Sequence, residues 1–285
     1  MSNSDFLLSI QSHYNQFTKA EKKVADFVLK NPKKVLFMSI TDLADACNVG
    51  DTSVFRFCRT MKLKGYQEFK MRLSLSITSD DKVNEELEDE VAPEDTFISM
   101  AQKVLKSNLD AINETHSLLN PEEFSRGMDY FEAAEKVYFF GVGSSMLTAM
   151  EAMNKFLRIT PKVHCIQDTH MQSMAASMLT ENDLAIIISY SGSTKDSIHV
   201  AKIAKQASAK VISISRFIKS PLTNYSDVTI LCGANEGPLQ GGSTSAKMSL
   251  LYILDLMYME YYRRTYEVSL ENNQKTTSSV LEKMY

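Results

Sequence analysis

The stretch Leu184-Ala-Ile-Ile-Ile-Ser-Tyr-Ser-Gly-Ser-Thr194 joins an apolar run to a turn rich in hydroxyl groups, and a helical pattern follows at 197–207. This order of strand, turn and helix is typical of a parallel sheet, which receives such turns at its carboxyl edge. Free backbone N–H groups at the helix start, aided by the helix dipole, can hold a phosphate there. The sequence therefore predicts a sugar-phosphate-binding loop at 189–194. An ordinary polar loop between a strand and a helix is the alternative.

The region around this stretch alternates between short β-rich runs and helical patterns. The runs are Val137–Phe140, Val163–Ile166, Leu184–Ser189, Val211–Ser215 and Val228–Leu231. Such alternation predicts an α/β domain with a doubly wound sheet of five parallel strands flanked by helices, a three-layer sandwich. A long helix at about 245–265 has a wide apolar surface, and we expect it to be buried.

A second serine-rich turn, Gly141-Val-Gly-Ser-Ser145, follows the first of these runs. It is an incomplete dinucleotide fingerprint, because Met146 stands where GxGxxG requires its third glycine. Two serine-rich turns that follow strands of one sheet meet at its carboxyl edge, where such folds bind ligands. The pair therefore favours a ligand site over an isolated polar loop.

The amino-terminal part of the chain reads as short helices separated by turns. Thr18 and Glu21 have the spacing of a capping box. Thr41 is expected to cap a short helix, and the turn Asn48-Val-Gly50 contains two residue types that tolerate positive φ. A second helix is predicted at about 51–61. Two short helices around a tight turn predict an all-α helix-turn-helix domain.

The predicted second helix has an apolar inner face and a polar outer face. Its inner face, set by 3–4 spacing, consists of Val54, Phe57, Cys58 and Met61. An outer arginine can bind guanine with two hydrogen bonds, worth about 1–3 kcal/mol of discrimination, and lysines add phosphate contacts. Lys70 is expected to be one such lysine. A helical hairpin with a solvated basic face is the alternative. The predicted DNA-binding residues are Thr52, Ser53, Arg56, Arg59, Lys62 and Lys64.

Charge is divided unevenly along the chain. Residues 1–77 contain nine lysines and three arginines against seven acidic residues, a net charge of +5, and the remainder carries −9. A basic module on an acidic body indicates contact with a polyanion through one end. The predicted domains are a helix-turn-helix domain at 1–77, an acidic linker with a connecting helix at 78–107, and a sugar-phosphate-binding domain at 108–285.

Composition excludes several classes of protein. The chain is 44% hydrophobic and 23% charged, as is usual for a globular protein. No run approaches the roughly 20 apolar residues of a membrane span, and the first residues do not form a secretory signal, so we expect a cytoplasmic protein with no membrane contact. The four cysteines form no CxxC pair, which predicts free thiols and no metal site. We expect no cofactor.

Two family resemblances accompany these patterns. The segment SVFRFCRTMKLKGYQEFK at 53–70 closely resembles the RpiR-type helix-turn-helix, and the match covers roughly Phe6–Ile77. Gly50 departs from the pattern, because many relatives carry there a serine that caps the recognition helix; Asp51 or Thr52 is expected to cap it here. The two serine-rich turns resemble those of the sugar isomerase (SIS) domain over about 107–264.

The SIS resemblance implies roles for particular residues. In that family SxSGxT holds the phosphate of a phosphosugar. It implies phosphate ligands at Ser189, Ser191 and Thr194, N–H donors at Gly192 and Ser193, and ligands of the sugar hydroxyls or the phosphate at Ser144 and Ser145. His170 is expected to bind a sugar hydroxyl or a charged ligand group, or alternatively to cap a helix starting at Met171. Lys247 is expected to balance the phosphate charge, or else to be a surface lysine.

Both resemblances together imply a transcriptional regulator. Isomerisation needs a base beside the C1–C2 hydrogen, and only His170 and Glu236 are candidates, so we expect no catalytic residues. We expect a repressor of the catabolism of a sugar or an amino sugar such as sialic acid. It is expected to bind operator DNA as a homodimer or dimer of dimers. Its expected effector is a phosphosugar such as an N-acetylhexosamine 6-phosphate. The alternative is an aldose–ketose isomerase of sugar phosphates with a helical oligomerisation domain.

Overall fold

The computed structural model describes residues 6–78, 91–233, 244–281 and 283. These residues form two compact units, the first ending at Leu109 and the second beginning at Asp110. None of the described helices is both long enough and apolar enough to cross a membrane. The acidic segment predicted to be a linker lies largely outside the described residues, as does Glu236.

The first unit is helical, as predicted. Aromatic rings form the centre of its core: the ring centroids of Phe17 and Phe57 are 5.1 Å apart, and those of Phe57 and Phe69 are 5.6 Å apart. Offset and edge-to-face pairs of this kind stabilise a core beyond their buried area. The helices are α1 (Phe6–Ser12), α2 (Lys19–Lys30), α3 (Pro32–Leu36), α4 (Ile40–Ala46), α5 (Asp51–Thr60), α6 (Tyr66–Thr78) and the first half of α7 (Phe97–Leu118).

Helix starts in this unit follow the expected cap chemistry, with one change. Thr18 and Glu21 form the predicted capping box at α2. At α4 the cap is Ser39, whose hydroxyl accepts from the backbone N–H of Asp42. Thr41 lies inside α4 and instead donates to the carboxylate of Asp51 at 2.9 Å. The prediction of a Thr41 cap was therefore wrong, because a serine two residues earlier supplies the same bond.

Lys70 is buried, contrary to the expectation of a phosphate contact. Only 8% of this residue is exposed. Its ammonium donates to the carbonyl of Met38 at 3.4 Å and lies 5.3 Å from the ring centroid of Tyr66. Burial lowers the pKa of Lys70 to about 8, partly offset by the charge of Asp42. Lys70 therefore lies on the buried face of α6, and its ammonium group lies in the core of the first unit.

We expect Lys70→Met to stabilise the protein near pH 7. There the wild-type amine is charged in both states and loses hydration on folding, a penalty of about 3 kcal/mol for a shift to a pKa of about 8. The hydroxyl of Tyr66 still satisfies the Met38 carbonyl at 3.1 Å. Between pH 8 and 10.5 the unfolded chain binds more protons, so wild-type stability rises and the advantage of the variant shrinks. Urea unfolding of both proteins across this pH range measures it, with the exposed Lys64→Met as control; a constant difference would contradict the prediction.

The second unit contains a five-stranded parallel sheet with the order β2-β1-β3-β4-β5. The strands are β1 (Lys136–Phe140), β2 (Val163–Cys165), β3 (Asp183–Ile188), β4 (Lys210–Ser215) and β5 (Val228–Leu231). Each differs from its predicted run by at most one residue at either end. Strand β3 is buried along its whole length, as expected of a central strand.

Helices cover both faces of this sheet and complete the predicted three-layer sandwich. Alternate residues of β1 show the division: Phe139 packs into one apolar cluster and Phe140 into the other. The helices are the second half of α7, α8 (Pro121–Ala133), α9 (Ser144–Phe156), α10 (Thr169–Ser177), α11 (Lys195–Gln206), α12 (Thr244–Arg264) and α13 (Tyr266–Leu281). The sheet therefore delivers its carboxyl-edge turns from a rigid core.

Helix α13 was not predicted. It carries few apolar residues, and polar contacts hold it: Asn272 donates to the carbonyl of Ile159 at 3.0 Å, and Thr276 donates to that of Arg158 at 2.9 Å. The preceding helix α12 is buried through Ile253, Leu254 and Met257, as its wide apolar surface indicated.

Candidate functional site

The hydroxyl-rich turn 189–194 lies at the carboxyl end of β3 in the middle of the sheet. The N–H of Ser189 still pairs with the carbonyl of Ile214 at 3.0 Å. The chain then turns sharply: the N–H of Gly192 donates to the carbonyl of Ser189 at 3.0 Å, and Gly192 has φ +59°. A side chain is disfavoured in this left-handed conformation. The turn ends at Thr194, where α11 begins.

Two buried hydroxyls in this turn and the first turn of α11 have no partner among the described residues. They belong to Ser189 and Ser197, each no more than 3% exposed. Leaving such a group unsatisfied costs about 1–3 kcal/mol, so this arrangement favours a ligand with acceptor oxygens. The hydroxyl of Ser191 accepts only a long bond, 3.3 Å, from the N–H of Ser193. Ser197 was not predicted as a site residue, although its place in the first turn of α11 indicated it.

The start of α11 adds backbone donors to these hydroxyls. Thr194 is its N-cap, and its side chain makes no capping hydrogen bond. The first N–H groups of a helix lack intrahelical partners and carry the positive end of the helix dipole. The combination of free amides and buried hydroxyls is the chemistry that binds a phosphate dianion without a fixed cation.

The second serine-rich turn lies beside the first. Phe140, the last residue of β1, pairs with Ile187 of β3, so the two strands end within one residue of each other. Gly143, with φ +61°, is the N-cap of α9 and has no side chain that could accept from the first amides of this helix. Ser144 is exposed and Ser145 half-buried at the start of that helix. The structure thus brings the Ser144–Ser145 pair and the 189–194 turn to neighbouring strand ends.

Gln172 connects this second turn to the end of β2, and sequence analysis missed it. The residue is 1% exposed. Its side-chain amide donates to the carbonyls of Gly141 and Ile166, each at 2.9 Å. No local pattern announces the role, because one acceptor lies 31 residues away in the chain.

His170 is exposed in the first turn of α10, beyond the end of β2. It does not cap this helix: Asp168 does, accepting from the N–H of Met171 at 2.9 Å. The capping alternative was therefore wrong. β2 is the neighbour of β1, so His170 lies on the same edge of the sheet as the serine-rich turns.

Two basic residues, Lys247 and Arg216, belong to segments that pack near this turn. Lys247 is exposed in the first turn of α12, whose neighbouring residue Ala246 contacts Tyr190. Arg216 follows β4 directly, and its N–H donates to the carbonyl of Tyr190 at 2.9 Å. Its guanidinium pairs with Glu114 at 2.7 Å. Arg216 is therefore a cation beside the turn that sequence analysis missed, because its partner lies far away in the chain.

No group of three or more potential metal ligands lies together among the described residues. Burial raises the pKa of Cys58 to about 12 and that of Cys165 to about 11. These thiols are protonated at neutral pH and are poor nucleophiles. Their burial agrees with the expectation of free structural thiols.

The helix-turn-helix of the first unit consists of α4, a turn and α5. Asn48 adopts φ +51°, as the turn requires, whereas Gly50 has φ −85° and caps α5 without a side-chain bond. Neither Asp51 nor Thr52 supplies a cap, and the carboxylate of Asp51 accepts from Thr41 instead. The first amides of α5 are therefore left without a side-chain acceptor.

The two faces of α5 are those that the spacing predicted. Val54, Phe57 and Cys58 are fully buried. The outward positions Thr52, Ser53, Arg56 and Arg59 are exposed or half-buried, and Lys62 and Lys64, which follow the helix, are exposed. Arg59 makes one long hydrogen bond, 3.5 Å, to the carbonyl of Leu63. Phe55, which sequence analysis assigned to neither face, is also exposed.

Two family models match the chain. Residues 4–80 match the helix-turn-helix domain of the rpiR family, and residues 130–259 match the SIS domain. The matched ranges include both surfaces described above.

Relatives match along nearly the whole chain. An HTH-type transcriptional regulator of Haemophilus influenzae is 36% identical over 97% of this chain and 96% of its own. The regulator HexR of Pseudomonas aeruginosa is 33% identical over 79% and 78%. The regulator RpiR of Escherichia coli is 28% identical over 92% and 88%.

A solved structure with the same architecture is the Vibrio vulnificus NanR protein complexed with ManNAc-6P. It is 29% identical, has a TM-score of 0.86, and the match covers 98% of this chain and 99% of NanR. The sugar isomerase domain of an RpiR transcription factor from Sphaerobacter thermophilus shares the fold of the second unit, with a TM-score of 0.58 at 17% identity over 63% of this chain.

Proposed function

We propose that this chain, which belongs to the RpiR family of helix-turn-helix transcriptional regulators with an SIS domain, is a repressor of a sugar or amino-sugar catabolic operon. In this proposal α5 reads operator DNA and the serine-rich edge of the sheet binds a phosphosugar effector. Effector binding then changes the fraction of the protein that is in a conformation able to bind operator DNA. A coupling of about 1–3 kcal/mol changes affinity several-fold to a hundredfold.

The observation that carries the effector site is a pair of buried hydroxyls without partners among the described residues: that of Ser189, directly after β3, and that of Ser197, in the first turn of α11. A phosphate dianion supplies acceptors for both and for the first amides of the helix. Hydrogen bonds to a charged oxygen are worth about 1.5–3 kcal/mol each, so three or four support micromolar affinity after entropy losses. The NanR complex supports an N-acetylated hexosamine 6-phosphate as the first candidate, because that relative binds ManNAc-6P.

We propose the roles implied by the family for the remaining site residues. Ser144 and Ser145 contact sugar hydroxyls or the phosphate, His170 contacts a sugar hydroxyl or a charged ligand group, and Ser191 and Thr194 contact the phosphate. The N–H groups of Gly192 and Ser193, which here donate to the Ser189 carbonyl and the Ser191 hydroxyl, turn to the phosphate when it binds. Lys247 balances the phosphate charge, and we add Arg216, whose backbone is fixed to the turn. The domain limits 1–77, 78–107 and 108–285 are part of the same proposal.

Binding without turnover fits the carboxylates near this edge better than isomerisation does. Asp168 is occupied as the cap of α10, and Glu114 is paired with Arg216. An isomerase needs a base beside the C1–C2 hydrogen of the sugar. His170 and Asp196, which is exposed in the first turn of α11, are further candidates at this edge among the described residues, so the alternative function, an aldose–ketose isomerase, depends on them.

A two-readout experiment separates the regulator from the isomerase. Purified protein is mixed with ManNAc-6P, GlcNAc-6P and other hexose phosphates, and both DNA retardation and sugar interconversion are followed. The DNA is a set of duplexes that this protein selects from a random-sequence library. A regulator shows sugar-dependent retardation and no turnover. Turnover without any DNA binding would establish the isomerase.

We expect Ser191→Ala to raise the dissociation constant for the effector by about tenfold, because it removes one hydroxyl donor to a charged oxygen. DNA binding without effector is expected to stay unchanged, since the Ser191 hydroxyl makes only a long local bond. Titration calorimetry and DNA retardation give the two numbers. Ser279→Ala, which removes a hydroxyl bonded within α13, is the matched control. Loss of DNA binding by Ser191→Ala would point to a structural role instead.

A helix-turn-helix that binds operator DNA predicts that two copies of this domain bind one operator. Such modules read two half-sites about 34 Å apart, or multiples of that spacing, so the protein is proposed to act as a homodimer or dimer of dimers. The selected duplexes are then expected to contain inverted repeats with this spacing.

A further inference from the structure

The outward face of α5 carries an aromatic ring among its polar groups. Thr52, Phe55, Arg56 and Arg59 have the i, i+3, i+4, i+7 spacing of a single helix face. Phe55 is 40% exposed. Its neighbours on this face supply hydroxyl and guanidinium groups.

Phe55 is not needed to fill the core beneath it. The inner face of α5 is complete, because Val54, Phe57 and Cys58 are each fully buried. Phe57 makes the ring contacts with Phe17 and Phe69 that organise the unit. A large apolar side chain on the outer face therefore does not serve this packing.

The chain after α5 positions the ring. A Cβ at Gly65 would lie 3.4 Å from Cε2 and 4.0 Å from Cδ2 of Phe55. One edge of the ring thus lies against the glycine that precedes α6, while 40% of the residue remains exposed. A supported ring loses little conformational entropy when it binds a partner.

The major groove offers one apolar group on its floor, the C5-methyl of thymine, and phenylalanine is among the side chains that contact it. Residues in the first turns of a recognition helix are those that reach base edges. Phe55 is in the second turn of α5, next to Arg56. We propose that Phe55 reads a thymine methyl, so that the operator half-site contains a thymine beside the base pair that Arg56 contacts.

This inference rests on the proposed function, because it needs α5 to bind in the major groove. The test uses the full chain and a duplex that it selects from a random-sequence library. Each thymine of that duplex is replaced in turn by deoxyuridine, which removes one methyl group and changes nothing else. For wild type we expect about a fourfold loss of affinity at one thymine per half-site, since one buried methyl is worth about that factor.

Phe55→Ala is expected to bind more weakly and to be indifferent to deoxyuridine at that thymine. Phe55→Leu, which keeps an apolar group, is expected to retain part of the dependence. Phe37→Ala, an exposed phenylalanine outside α5, is the matched control and keeps the wild-type profile. The methyl dependence is expected to be equal at low and high salt, unlike a phosphate contact.

Two results would overturn the inference while leaving the proposed function intact. One is a wild-type protein whose affinity depends on no thymine methyl. The other is Phe55→Ala with the same deoxyuridine profile as wild type, which would show that a different side chain contacts the thymine methyl. If Phe55→Ala fails to fold, as thermal unfolding would show, Phe55→Gln takes its place in the same scan. If the protein enriches no DNA sequence from the library, both the proposed function and this inference are wrong.

Discussion

Gly192→Ala is expected to abolish the response to effector and to lower the stability of the second unit. A Cβ at this position would lie 2.2 Å from Oγ and 2.6 Å from Cβ of Ser220, and the residue has φ +59°. The left-handed conformation costs an L-residue about 1–2 kcal/mol, and overpacking adds about 1–3 kcal/mol. Together these cost about 2–5 kcal/mol, so the melting temperature is expected to fall by about 4–20 °C, at roughly 2–4 °C per kcal/mol. Calorimetry with hexosamine 6-phosphates measures the lost binding.

Ser220 cannot easily move away from the new methyl group. It is 2% exposed, and its N–H donates to the hydroxyl of Thr223 at 2.9 Å. The N–H of Leu222 also donates to the Gly192 carbonyl at 3.0 Å. The turn 189–194 must therefore shift, and with it the amides proposed to hold the phosphate.

Gly143→Ala separates backbone strain from this clash. Gly143 also has positive φ, but a Cβ there would meet nothing within 4 Å. We expect it to lose stability through backbone strain alone, because φ +61° with ψ −127° lies outside the regions that L-residues populate. A Gly192→Ala variant that keeps its effector response would show that Ser220 gives way, contrary to the prediction.

Arg56→Ala is expected to lower operator affinity by about 5- to 150-fold and to relax selectivity at one base pair, because a bidentate arginine contributes about 1–3 kcal/mol of discrimination. Arg56 is exposed on the outer face of α5, so the free energy of unfolding is expected to change by no more than about 0.5 kcal/mol. Retardation of the selected duplex and of single-base variants measures both affinity and selectivity. Arg59→Ala is expected to behave in the same way at a different base pair.

Lys64→Ala is the contrasting control on the same surface. Lys64 is exposed, and removing a lysine that contacts phosphate is expected to lower affinity equally for all sequences and to reduce the slope of log affinity against log salt by about one. If both arginine variants bind the selected duplex as wild type does, α5 is not the reading helix.

The sheet and its serine-rich turns were predictable because their signals are local. A run such as Leu184–Ile188 is too apolar for anything but a buried strand, and the residue types of 189–194 announce a turn. The faces of α5 followed from 3–4 spacing in the same way. The prediction of five parallel strands flanked by helices is confirmed.

What escaped prediction depends on contacts between distant parts of the chain. The burial of Lys70 depends on Met38 and Tyr66, and Arg216 is held by Glu114, more than a hundred residues earlier. Helix α13 has too few apolar residues to produce a periodic signal. The roles of the individual site residues stay predictions until a ligand or an operator is bound.

Gln172 limits which side chains its position accepts. Its amide nitrogen faces two carbonyl oxygens at 2.9 Å, one from each of the loops that follow β1 and β2. A glutamate of the same shape would turn both attractions into repulsions, and a shorter asparagine could not span them. A single carboxamide is therefore bonded to both loops, and a displacement of one loop is expected to move the other as well.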